Sequence, residues 1–108
     1  MRQADELDDM RDIFGADFAM LAGLYLSDTP KRLAELQAAA AAGDATLAAK
    51  VVHTLGGSCA SIGASGLAAI CQALEMRCRS GTLGNFGAYL LEIEAEYARI
   101  EARLRAML

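Results

Sequence analysis

The chain has 108 residues, 55% hydrophobic and 22% charged, with a formal net charge of −4. That describes one domain with enough apolar content for a single core, not a disordered tail, and its acidic balance argues against a nucleic-acid binder. No apolar run reaches the roughly 18 residues that suggest a membrane-crossing helix, and the acidic start MRQADELDDM is not a signal peptide.

Ala, Leu, Glu, Arg and Met dominate, all helix formers, and no stretch alternates polar and apolar as a half-buried strand does. A short helix is predicted over residues 7–14, stopping at Gly15, and a second over 17–26. Ser27, Asp28 and Thr29 then offer N-caps, with Pro30 early in a third helix, where its missing N–H costs least. Gly43 ends that helix, and Asp44 caps a fourth that runs to Ile62 and stops at Gly63. A fifth covers 64–79, ending near Ser80 and Gly81, and the last covers 83–107. Its apolar positions, Phe86, Leu90, Ile93, Tyr97, Ile100, Leu104 and Met107, alternate in steps of four and three, the seam of a bundle helix. Short connections favour antiparallel neighbours. The expected fold is all-α, an antiparallel four-helix bundle with short N-terminal helical decoration, as a single domain spanning the chain.

The fourth helix has two unlike sides. At roughly 100° per residue, Leu47, Val51, Leu55, Ser58 and Ile62 form one stripe, expected to face the core. His53, the only histidine, lies about 160° away and should point outward. Ala49, Gly56 and Ala60 share its face and Gly57 borders it, where a wet surface normally carries Lys, Glu or Arg. Glycine in a helix interior costs about 1 kcal/mol relative to Ala, so the Gly56-Gly57 pair calls for an offsetting gain. Close approach by another molecule's backbone is one; close approach by a neighbouring helix, or a bend, is the other. In the fifth helix, Leu67, Ile70, Cys71, Leu74 and Cys78 form the core stripe, with Glu75 at its edge and Arg79 one turn on. Between antiparallel neighbours Glu75 could reach His53 and fix its tautomer, or simply pair with Arg79 at i,i+4.

The stretch from Ala49 to Ala64, continuing through Leu67, Cys71, Leu74 and Glu75, resembles histidine-containing phosphotransfer (HPt) domains. The family pattern is approximately H-x-L-K-G-S…G-A…L…C…L-E, and His53, Leu55, Gly57, Ser58, Gly63, Ala64, Leu67, Cys71, Leu74 and Glu75 match it. The resemblance implies a phosphorelay intermediate of two-component signalling. A phosphoryl group would arrive from a receiver-domain aspartate, rest on His53 and pass to another receiver aspartate. It implies that Glu75 hydrogen-bonds the histidine and that Arg79 lies near the phosphate. The family's lysine three residues after the histidine is here Gly56, which leaves Lys50, Arg77 and Arg79 to neutralise the phosphoryl charge. The docking surface would be Ala49, Gly56, Gly57 and Ala60.

The expected partners are response-regulator receiver domains, with a hybrid sensor histidine kinase as a further candidate. The expected protein is a cytoplasmic monomer with no kinase activity of its own, no nucleic-acid partner and no membrane insertion. No cofactor is expected, Mg²⁺ being supplied by the receiver. An alternative from the loss of the lysine is a receiver-binding adaptor that has lost efficient phosphotransfer. One histidine and three cysteines make no convincing zinc set, and Gly56-Gly57-Ser58 lacks the Gly-Lys-Ser/Thr ending of a phosphate-binding loop. The cysteines are read as reduced, buried small hydrophobes.

Overall fold

The structure, a computed structural model, describes residues 3–108, with side chains from residue 6 onward. Met1 and Arg2, part of the acidic start, lie outside the described residues. Five helices follow one another: α1 (Gln3–Phe14), α2 (Asp17–Ala41), α3 (Ala45–Ile62), α4 (Ser65–Arg79) and α5 (Phe86–Met107). Among the described residues there is no strand, and no helix is long and apolar enough to cross a membrane. Helices α2 to α5 close a bundle in which α3 packs on both α2 and α4, and α5 on both α4 and α2. Helix α1 is the N-terminal decoration. It buries Leu7, ties Asp8 to Arg103 of α5 at 2.7 Å and receives a 2.6 Å hydrogen bond from Ser65 to the Glu6 carboxylate.

The break expected at residues 27–29 is absent, for α2 is continuous through Pro30. The Thr29 hydroxyl donates to the Tyr25 carbonyl at 2.7 Å within the helix, and Asp28 accepts from Arg32 at 3.1 Å, so neither acts as an N-cap. A proline inside a helix costs about 3 kcal/mol. Here the ring is exposed, while Tyr25, Leu26, Thr29, Leu33 and Leu36 are buried on both sides of it. Breaking the helix would give up that continuous buried face, which outweighs one lost hydrogen bond. The unbroken helix is about 38 Å long at 1.5 Å per residue, close to the 41 Å long axis of the molecule. At the other end α5 begins at Phe86, three residues later than expected, because Asn85 takes a left-handed backbone (φ 65°).

The boundaries of α3 are those read from the sequence. The Asp44 carboxylate accepts from the Leu47 N–H at 3.0 Å, and Gly63 ends the helix at φ 93°. The core stripe of α3 is not. Its centre is Ala48, Val52, Leu55, Cys59 and Ile62, with Ala49 and Val51 buried on the flanks, whereas Leu47 is 45% exposed and Ser58 only half-buried. Two neighbours press on α3, so its buried arc is wider than the single stripe that periodicity marks. The stripes of α4 and α5 agree with expectation, Ile70, Leu90 and Met107 being only partly covered. Cys59, Cys71 and Cys78 are free and buried. Tyr25 sits between α3 and α5, its hydroxyl 3.3 Å from the Cys59 sulfur and its ring 5.9 Å from that of Tyr97.

Gly63 does more than end a helix. A Cβ there would lie 2.8 Å from Met10 Cγ and 3.2 Å from the Glu6 carbonyl oxygen, so its bare α-carbon lets α1 close over the α3–α4 turn. Gly63→Ala should cost about 2 kcal/mol, combining left-handed strain with the displaced α1 contact. Urea denaturation checks the size, and faster amide exchange in α1 than in α3 would locate the damage.

Candidate functional site

His53 stands in the middle of α3 with its side chain 69% exposed. The turn at Gly63 and Ala64 folds α4 back antiparallel, and Glu75 lies about as far after that turn as His53 lies before it. The two side chains therefore come level. His53 Nδ1 is 2.9 Å from Glu75 Oε1 and 3.0 Å from Oε2. A carboxylate can only accept, so Nδ1 carries the proton and donates, and Nε2 is left facing outward. Burial raises the Glu75 pKa, but hydrogen bonds from His53 and Arg79 and the charges of both outweigh it, holding the carboxyl below its ordinary value. Arg79 reaches Glu75 Oε2 with Nε and Nη2, each at 2.7 Å. Glu75 thus contacts both groups at once, Arg79 on its own helix and the histidine on α3.

The remaining basic candidates separate. Arg77 points to the other side of α4, its guanidinium 5.7 Å from the Tyr89 ring centre and its Nη2 3.5 Å from the Gly84 carbonyl. It braces the α4–α5 loop and is not part of the histidine site. The Arg79 fork is engaged by Glu75. Lys50, one turn before His53, is exposed and makes no ion pair among the described residues.

The expected docking face is also rearranged. Ala49 is 2% exposed and belongs to the core. Gly56 is half-buried, and a Cβ there would lie 3.2 Å from the Cβ of Cys71. Its bare α-carbon serves the close approach of α4. Gly57 and Ala60 are exposed, and nothing lies within 4 Å of a Cβ built at Gly57. A groove of about 320 Å³ runs between α3 and α4, with Gly56, Ala60, Ala68 and Ala69 in its lining and His53 and Glu75 in its walls.

A larger groove of about 450 Å³ does not include His53. Phe14, Leu21, Leu24 and Tyr25 line it from α1 and α2, and Ser58 and Ser61 from α3. Phe14 and Leu24, which line it, are exposed, as are Ile13 and Met20 of the same two helices, an apolar exposure that the sequence reading missed. The signal was present in DFAMLAGLYL, which is apolar on more faces than one buried stripe requires. Among the described residues no group of three or more His, Cys, Asp or Glu is placed to hold a metal.

A family model described as the Hpt domain matches residues 20–103. The chain belongs to the Hpt family. A solved structure, histidine-containing phosphotransfer protein B (HptB) from Pseudomonas aeruginosa PAO1, is similar to it at 27% identity and a TM-score of 0.88, over 95% of this chain and 90% of that one. No curated protein matches. As an Hpt domain, the chain is a phosphotransfer relay protein of two-component signalling. The adjacent glycines of this Hpt domain should respond differently to alanine. Gly57→Ala should gain up to about 1 kcal/mol from helix propensity. Gly56→Ala should gain nothing, because the fully buried Cys71 has little room to yield. Denaturation midpoints of the two variants check the difference.

Proposed function

We propose that His53 Nε2 accepts a phosphoryl group from an aspartyl phosphate on a receiver domain and passes it to the aspartate of another. The observation that carries this reading is the outward-facing imidazole whose Nδ1–H is held by Glu75 at 2.9 Å. In the forward step the Nε2 lone pair attacks phosphorus, the P–O bond to the receiver aspartate breaks, and the aspartate leaves as a carboxylate. The imidazole then carries a positive charge, which the Glu75 carboxylate stabilises through Nδ1–H. Such transfer depends mainly on positioning and charge stabilisation. This chain would supply the nucleophile and its orientation, the receiver would supply Mg²⁺, and no cofactor or kinase activity is assigned to the chain itself.

Lys50 is the residue we propose to neutralise the phosphoryl group in place of the lysine that Gly56 lacks, since Arg77 points elsewhere and Arg79 is engaged. The receiver would dock over Gly57 and Ala60 and extend onto the apolar surface at Phe14, Leu21 and Leu24. A receiver-binding adaptor with little transfer is the second reading, favoured by Gly56 alone. Incubation with a panel of phosphorylated receiver domains separates the two: an acid-labile label on the chain supports transfer, and binding without label supports the adaptor.

His53→Gln should abolish that label while changing stability by less than about 0.5 kcal/mol, as befits an exposed position. Label retained by the variant would exclude histidine phosphotransfer, since the chain has no other histidine. Gly57→Leu should weaken receiver binding about tenfold by filling open surface at the interface, with the fold intact. Titration against a receiver, alongside circular dichroism, reads both effects.

A further inference from the structure

We infer that Arg79 is a positioning residue that acts on His53 through Glu75, and not a ligand of the phosphoryl group. The inference rests on the phosphotransfer reading of His53 and assigns the work of a basic residue beside it. The Arg79 guanidinium places both Nε and Nη2 on one carboxylate oxygen, Oε2, at 2.7 Å each. The imidazole Nδ1 meets the same carboxylate from α3, 2.9 Å from Oε1 and 3.0 Å from Oε2. The carboxylate is thereby anchored at Oε2 by a hydrogen bond from Nε and by the adjoining Nη2 of the same guanidinium, two groups where a lysine offers one ammonium.

The need for such a hold follows from exposure. The His53 side chain is 69% exposed and Glu75 supplies its only hydrogen bonds among the described residues. A glutamate has three rotatable side-chain bonds, and a freed carboxylate would turn to water at the cost of the Nδ1 hydrogen bond. Glu75 is 16% exposed and Arg79 56%, so the more exposed guanidinium flanks a largely covered carboxylate that His53 also meets. The order along α4 also suits the pair. Glu followed by Arg at i,i+4 is the favourable arrangement, and Arg79 sits in the last turn, where the helix dipole favours a cation.

A phosphate ligand and a positioning residue differ in what they do before any phosphate arrives. The single histidine makes the difference directly readable, because the ¹⁵N imidazole signals of the full chain belong to one residue. In the wild type, near neutral pH, the neutral ring should be chiefly the Nδ1–H tautomer. In Arg79→Gln it should shift toward the Nε2–H form, which blocks the nucleophile. Labelling by phosphoramidate, in which the P–N bond breaks, ammonia leaves and the Nε2–P bond forms, should slow about fivefold in Arg79→Gln. In a Glu75→Ala background the same substitution should add less than about twofold, the signature of one residue working through another. Arg79→Lys keeps the charge but not the fork and should recover less than half of the lost rate.

An unchanged tautomer in Arg79→Gln, or an equal loss of labelling in both backgrounds, would overturn the inference in favour of direct contact with phosphate. So would full rescue by Arg79→Lys. If phosphoramidate labels the chain but no phosphorylated receiver does, the relay between receivers fails, and the tautomer and double-variant results still decide the role of Arg79. Arg79 is exposed at a helix end, and Arg79→Lys provides a second variant should Arg79→Gln fold poorly.

Discussion

Gly56 presents a bare α-carbon to Cys71 across the α3–α4 contact, where a Cβ would sit 3.2 Å from the Cys71 Cβ. The site depends on that close approach. His53 and Glu75 belong to different helices, and a hydrogen bond of 2.9 Å leaves little latitude in their separation. Two devices hold it: the tight turn at Gly63 and Ala64, which keeps α3 and α4 antiparallel, and the small residues that let the helices lie close. The absence of the family's lysine at Gly56 then has a packing reason.

Polar contacts at the site contribute orientation more than stability. Exposed ion pairs are worth about 0–1 kcal/mol, so the Arg79–Glu75 pair cannot be what holds α4 in place. Stability comes from the layer beneath, where Leu55, Cys59, Leu67, Cys71 and Leu74 are essentially inaccessible. In that layer a hydrogen bond with Cys59 and burial both push the Cys71 thiol up. Burial, with the neighbouring Cys59, does the same to the Tyr25 hydroxyl. Both stay neutral and behave as packing groups, the Tyr25 hydroxyl lying 3.3 Å from the Cys59 sulfur. An apolar, uncharged floor thus lies under the exposed polar pair.

The surface around His53 is divided by chemistry. Toward α4 lie small residues and the Glu75–Arg79 pair. Toward α2 lies the larger groove, with Leu21 and Leu24 on one wall and Ser58 and Ser61 on the other. A partner resting on both would meet two grooves, one lined mainly by small residues and the other by apolar side chains with Asp28 and Lys31 among them.

Much of this was legible in the chain alone. Helix formers with one proline dictate an all-α fold, Asp44 and Gly63 delimit α3, and the four-and-three spacing from Phe86 to Leu104 marks a bundle helix. The outward position of His53 follows from its angle to Leu55 and Ile62. The level of Glu75 with His53 follows from antiparallel pairing. What the tertiary structure decided concerns neighbours. Periodicity reports direction about a helix axis, but not how many helices press on it. That is why Ala49 and Cys59 are core, why Leu47 is not, and why Gly56 serves α4. Local propensity likewise placed a break before Pro30, and only burial on both sides of it shows why α2 runs on. The partner of Arg79 was open between phosphate and Glu75 because side-chain reach alone permits either. The Glu75 carboxylate, which also meets His53 on the adjoining helix, is the group the guanidinium meets.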